Sequence, residues 1–238
     1  MMRALLRLIT AEGWWALLAV FFIGGGLWGF AELADEVEDG ETHAFDRAVM
    51  LALREPHDPA DPLGPAWIEF VARDVTSLGG TAVLVMLTCA AVGYLLLTRR
   101  WGAAVLVTIS VVGGTLISSG LKAMFDRPRP DLVPHAVEVT SASFPSGHAM
   151  LAMITYLTLG AVLAEVQTKH RYKAYILAWA LLLSVLVGLT RVYLGVHWPT
   201  DVLAGWCIGA AWALPCGFIA LWLRRRGSIA GIRTEERA

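Results

Sequence analysis

Apolar runs separated by short polar breaks predict six helices long enough to cross a bilayer, at Trp14–Leu33, Thr81–Leu97, Trp101–Leu121, Gly147–Val166, Ala174–Leu189 and Val202–Leu223. Crossing a hydrocarbon core about 30 Å thick takes roughly 17–25 residues of helix, and these runs approach or meet that length. The longest polar stretch, Ala34 to Gly80, opens with the acid-rich "ELADEVEDGETHAFD". Within it Phe45, Val49, Met50, Leu51 and Leu53 recur at near-helical spacing, as do Trp67, Phe70, Val71 and Val75. That spacing predicts two short amphipathic helices, lying on the membrane surface or packed on the bundle. With no internal repeat or low-complexity linker, the expected fold is all-α. It is one domain over residues 1–238: a polytopic six-helix bundle with short amphipathic helices in its first outer loop.

Composition agrees with that pattern. At 57% apolar residues and a mean hydropathy of +0.61, the chain has too little polar surface for an ordinary water-soluble domain. The net charge of −1 is uninformative, but its distribution is not. With the first end inside, twelve Lys/Arg fall on one side: Arg3, Arg7, Arg99, Arg100, Lys169, Arg171, Lys173, Arg224, Arg225, Arg226, Arg233 and Arg237. Seven fall on the other, four of which (Lys122, Arg127, Arg129 and Arg191) belong to polar clusters treated below. The positive-inside rule then places both termini in the cytoplasm and those clusters outside. A cleaved secretory signal is the rival reading of the first run, which is long for one. Cys89, Cys207 and Cys216 lie in apolar runs without metal or redox spacing and read as packing residues.

Three outer segments put ionisable groups at the ends of apolar runs: "LKAMFDRPRP" (Leu121–Pro130), "FPSGHAM" (Phe144–Met150) and "TRVYLGVHWPTD" (Thr190–Asp201). Charge in the bilayer is costly, so such groups sit at helix ends or in wet cavities. Alone, Lys122 reads as a snorkelling lysine and a His at a helix start as a cap or packing residue. Together, the cations, two histidines and an aspartate on one side suggest an anion site equipped with acid, base or nucleophile. Pro145 and Ser146 suit the first positions of a helix, and Gly147 lets a ligand approach the backbone. The free N–H groups there would bind an anion, with His148 facing it. His197 and Asp201, four apart, share a helix face if the first turn includes His197, so that Asp201 would fix the imidazole tautomer and leave the other nitrogen free to attack.

As a set, these segments resemble the signature of the type 2 phosphatidic acid phosphatase superfamily, KxxxxxxRP, PSGH and SRxxxxxHxxxD. Lys122 with Arg129-Pro130 fits the first motif, Pro145-Ser146-Gly147-His148 the second, and Arg191, His197 and Asp201 the third. Thr190 stands where the family usually has Ser and keeps the hydroxyl. Spacing favours Arg129 over Arg127 as the motif arginine, leaving Arg127 as a helper or a headgroup contact.

The resemblance implies hydrolysis of a phosphomonoester or pyrophosphate without metal or other cofactor. Lys122, Arg129 and Arg191, with the backbone at Ser146, Gly147 and His148, would hold the phosphoryl oxygens. His197, oriented by Asp201, would form a phosphohistidine, and His148 would protonate the leaving oxygen and later activate water. It also implies a bacterial inner-membrane protein acting at the outer face on a membrane-embedded lipid phosphate, with the phospholipid bilayer and no nucleic acid as partner. Undecaprenyl pyrophosphate, phosphatidylglycerol phosphate, phosphatidic acid and lipid A are the headgroup classes in view. The rivals are a vanadium-dependent haloperoxidase, which the six apolar runs oppose, and a non-catalytic lipid-phosphate binder or transporter, which has no need of an oriented His–Asp pair.

Overall fold

The computed structural model describes residues 11–133 and 141–225, with side chains from 20 to 133 and from 141 to 221. Of the arginines counted in the charge bias, Arg3, Arg7, Arg226, Arg233 and Arg237 lie outside the described residues. The elements are α1 (Ala11–Glu38), α2 (His43–Ala52), β1 (Arg54–Glu55), β2 (Asp58–Pro62), α3 (Ala66–Ser77), α4 (Thr81–Leu97), α5 (Trp101–Phe125), α6 (Gly147–Glu165), α7 (His170–Tyr193) and α8 (Pro199–Arg225).

This is a multi-pass membrane protein. Helices α5, α6, α7 and the Pro199–Leu221 part of α8 are each long and apolar enough to cross a bilayer. The 17 residues of α4 reach that length only together with α3, across a 46° bend. One element departs from the all-α expectation: β1 and β2 form an antiparallel two-stranded ribbon, pairing Arg54 with Pro62 and Glu55 with Asp58. The segment "REPHDPADP" has no apolar alternation, so the hydrophobic pattern gives no sign of it.

Helix α6 is the most enclosed of the four long apolar helices, with 56% of its most apolar window buried against 33–39% in the others. Lipid supplies no hydrophobic force between helices, so association rests on close packing and polar contacts. Small residues let α8 approach α6: a Cβ on Gly205 would lie 2.8 Å from the Ser146 carbonyl oxygen, and one on Gly209 2.9 Å from that of Met150. Ser110 and Thr158 share a 2.8 Å hydrogen bond between α5 and α6, and the Trp212 indole of α8 donates to the Ser110 carbonyl at 2.9 Å. Substituting Gly205 would therefore move the start of α6, which carries His148, relative to α8, which His197 closely precedes.

Above the bundle, α2 and α3 each turn one face onto the ends of α7 and α8. Met50 is fully buried with Val133, Ala149, Val192, Trp198 and Val202, and Ala72 packs with Leu194 and Val196. Their other faces keep Phe45, Trp67 and Phe70 exposed.

Two helix ends then set the geometry of the outer face. Helix α5 stops at Asp126, which takes a left-handed conformation (φ 39°), and Pro128 and Pro130 follow, which cannot continue a helix. Helix α7 stops at Gly195, whose φ of 75° suits glycine, with the Val196 N–H returning to the Arg191 carbonyl at 3.2 Å. That reversal brings His197 to Arg129 and Ser143, both in the connection between α5 and α6.

Candidate active site

All three cations and both histidines expected from the sequence line one cavity of ≈ 380 Å³. Its walls include Lys122, Arg129, Gly147, His148, Arg191 and His197, together with Gly79, Ser118, Ser119 and Ser141. Gly147 keeps it open beside Lys122, since a Cβ there would sit 3.5 Å from the lysine Cε.

The pairing of His197 with Asp201 arises differently from the shared-face expectation, because α8 begins at Pro199 and His197 precedes the helix. Asp201, the third helical residue, reaches back so that its Oδ2 accepts the Trp198 N–H at 2.9 Å, half of a capping box. The same oxygen lies 3.3 Å from His197 Nδ1 and accepts a short hydrogen bond from the Ser143 hydroxyl. On the other side of the ring, Arg129 Nη1 is 3.2 Å from His197 Nε2. A guanidinium can only donate, so Nε2 carries the lone pair and Nδ1 the proton that faces Asp201. Burial pulls the His197 pKa down to about 4, against the opposing pull of Asp201. The imidazole is therefore neutral at neutral pH, and its ring lines the cavity.

The cations are turned on backbone and hydroxyl oxygens around the cavity. Lys122 Nζ donates to the Ala142 carbonyl at 2.5 Å. Arg129 donates to the carbonyls of Ser141 (2.8 Å) and Val196 (2.6 Å). Arg191 Nη1 donates to Thr76 Oγ1 at 3.0 Å, while its buried Nε has no hydrogen-bond partner among the described residues. Ser146 precedes the first residue of α6 but makes no side-chain cap; its Oγ is buried and likewise without a partner among the described residues. The backbone of Ser146 is anchored instead, its N–H donating to the Asp201 carbonyl at 2.9 Å. Thr190 takes no part in the cavity, because its hydroxyl donates to Val187 within α7 and the residue lines an apolar groove under α2 and α3.

Of the two readings open for Arg127, helper or headgroup contact, the structure removes the second. Arg127 is 7% exposed and ion-paired to Asp201 Oδ1 at 2.6 Å and to Asp46 Oδ2 at 2.8 Å, so it is not a headgroup contact. Ser143, Thr76, Thr200 and Asp46 were also missed. Asp46 alone left a trace in the sequence: it lies four before Met50, an acid on the apolar stripe of α2.

Residues 101–227 match the PAP2 superfamily. The chain is similar to phosphatidylglycerophosphatase B of Bacillus subtilis (strain 168), 32% identical over 189 residues, covering 76% of this chain and 85% of that protein. It is 37% identical over 101 residues to an undecaprenyl-diphosphatase of Sulfolobus acidocaldarius, covering 42% of each. Among solved structures it resembles a transmembrane PAP2-type phosphatidylglycerolphosphate phosphatase from Bacillus subtilis. The TM-score is 0.72 at 26% identity, over 91% of this chain and all of that one. With the family match spanning more than half of the chain, this multi-pass membrane protein belongs to the PAP2 superfamily of phosphatases and is a phosphoric ester hydrolase.

Proposed function

We propose that the protein hydrolyses the phosphomonoester or pyrophosphate headgroup of a membrane lipid, of the phosphatidylglycerol phosphate and undecaprenyl pyrophosphate class, through a phosphohistidine on His197 and without a metal ion. The observation that carries this reading is the placement of His197, with Nε2 3.2 Å from Arg129 in a cavity that Lys122 and Arg191 also line and Nδ1 facing a buried carboxylate.

On binding, phosphoryl oxygens would replace the carbonyls of Ser141, Ala142 and Val196 around Arg129 and Lys122, and would meet Arg191 and the first N–H groups of α6. Nε2 then forms the bond to phosphorus as the bond to the lipid oxygen breaks, and His148 supplies a proton to that oxygen. The imidazole, protonated on Nδ1 and phosphorylated on Nε2, becomes cationic against Asp201. His148, now neutral, takes a proton from water as the water attacks phosphorus, releasing phosphate and restoring His197. Three cations would supply the charge neutralisation that a metal ion supplies elsewhere.

Purified protein should release phosphate from long-chain lipid phosphates at an undiminished rate in excess EDTA. Loss of activity restored by added magnesium would reject the metal-independent reading, and lipid transfer without phosphate release would favour a transporter.

Arg129→Ala should remove a contact that strengthens as charge develops, costing roughly 2.7–4 kcal/mol of transition-state stabilisation by analogy with losing one preorganised donor. Comparing kcat/KM of variant and wild type checks this; a change below about threefold would place Arg129 outside the phosphoryl site.

The reading also places six crossings, with α1 and α4 joining the four long apolar helices, both termini cytoplasmic and the cavity on the outer face of the inner membrane. A reporter fused after Arg226 should then behave as cytoplasmic, and a cysteine at Val137, outside the described residues, should react with an impermeant thiol reagent in intact cells. The reverse labelling would put the site inside.

A further inference from the structure

Behind His197, on the side away from the cavity, lies a fully buried polar cluster drawn from three distant parts of the chain. Asp46 and Asp201 are both 0% exposed, Thr200 2% and Arg127 7%. Arg127 bridges the carboxylates: Nη1 donates to Asp201 Oδ1 (2.6 Å) and Thr200 Oγ1 (2.9 Å), and Nη2 to Asp46 Oδ2 (2.8 Å) and Thr42 Oγ1 (3.3 Å). Asp46 in turn accepts the Thr200 N–H at 3.0 Å and the Thr200 hydroxyl at 2.7 Å. It thereby supplies from α2 the N-terminal cap that Trp198 cannot give to α8. The guanidinium carbon lies 5.5 Å from the centre of the Trp198 ring.

Two features tie this cluster to the reaction. Among the described residues, the hydrogen bond that reaches Asp201 Oδ1 comes from Arg127 and those that reach Oδ2 come from Trp198, Ser143 and His197, so the Arg127 bond fixes the rotation of the carboxylate that faces the imidazole. The charges also complement the reaction. Two carboxylates and one guanidinium leave one net negative charge buried beside a ring that becomes cationic on phosphorylation. A buried ion-pair cluster is a poor device for stability alone, because its desolvation cost offsets much of its attraction.

We propose that Asp46 and Arg127 are positioning residues for phosphoryl transfer, extending the His197–Asp201 pair into a buried His197–Asp201–Arg127–Asp46 relay that joins the first outer helix to the nucleophile. The proposal rests on His197 being that nucleophile. Arg127 orients Asp201 and Asp46 orients Arg127, while neither touches the substrate.

The test uses the full-length protein, a short-chain soluble phosphatidic acid, and inorganic vanadate as a probe of the phosphate-binding cations. Arg127→Met is expected to lower kcat about 50-fold or more and Asp46→Asn about tenfold, with KM and vanadate inhibition within about threefold of wild type. In an Asp201→Asn background either change should add no more than about a threefold further loss, as for residues acting through one shared partner. A merely structural role predicts otherwise: fewer vanadate-binding molecules with unchanged kcat per binding site, or the full cost again in the Asp201→Asn background. Either outcome overturns the proposal. If Arg127→Met does not fold, Asp46→Asn decides, since it preserves side-chain size. An active His197→Ala protein would sink the nucleophile reading and this relay with it. An inactive one beside fully active Asp46→Asn and Arg127→Met proteins would sink the relay alone.

Discussion

His197→Ala is expected to leave no measurable turnover on any lipid phosphate, while the protein keeps its fold and its affinity for phosphate. Among the described residues, the ring is the one cavity group whose unprotonated nitrogen meets an arginine on one side and whose other nitrogen meets a carboxylate. His148 cannot replace it, because in this account it handles the leaving-group proton, and one imidazole cannot serve as nucleophile and acid in the same step. Phosphate release and vanadate binding measured on the same preparation check the claim. Activity within about a hundredfold of wild type would remove His197 from the covalent role, since losing a nucleophile costs far more than that.

Asp201→Asn should be the next most damaging change. Both carboxylate oxygens receive only donors, Oδ1 from Arg127 and Oδ2 from Trp198, Ser143 and His197. An amide has one acceptor oxygen, so its NH2 must face either the guanidinium or the set that holds the ring. Either choice loosens His197 and weakens its tautomer. The expected loss in kcat is on the order of 10³–10⁴-fold, the scale seen when an aspartate orienting a catalytic imidazole is made neutral. KM should change little, because the cations proposed to hold phosphate are untouched. A kcat within about twofold of wild type would mean that Asp201 only starts the helix.

The apolar pattern located each long helix and set some of its boundaries. α4 runs over Thr81–Leu97 as the pattern predicts, and α6 starts at Gly147, where a polar loop meets an apolar run. The pattern failed where burial replaces lipid. Helix α1 continues past Leu33 to Glu38 through "AELADEVE", because Ala34 and Val37 pack on Phe144 and Ala204 while the acids face outward. α5 likewise runs on to Phe125, whose ring packs edge-on against Phe144.

At the site, the motifs named the cations and histidines that line the cavity and Asp201 behind them, but not the serines beside them or the partners of Arg127. Nothing in "RPRP" tells that one arginine lines the cavity and the other faces inward. The difference is made by the turn at Asp126, which sends Arg127 under Trp198 and leaves Arg129 beside the Ser141 carbonyl. Asp46 is 154 residues from Thr200, a pairing visible only in three dimensions.

The covalent step can be caught directly in His148→Ala, using p-nitrophenyl phosphate. Its leaving group needs no proton, so phosphorylation proceeds while the hydrolysis that His148 assists is slowed. The account predicts a burst of about one nitrophenolate per active site and an acid-labile, base-stable phosphoryl group on the peptide that carries His197. Label on any other residue, or steady phosphate release with no burst and no labelled His197, would contradict it.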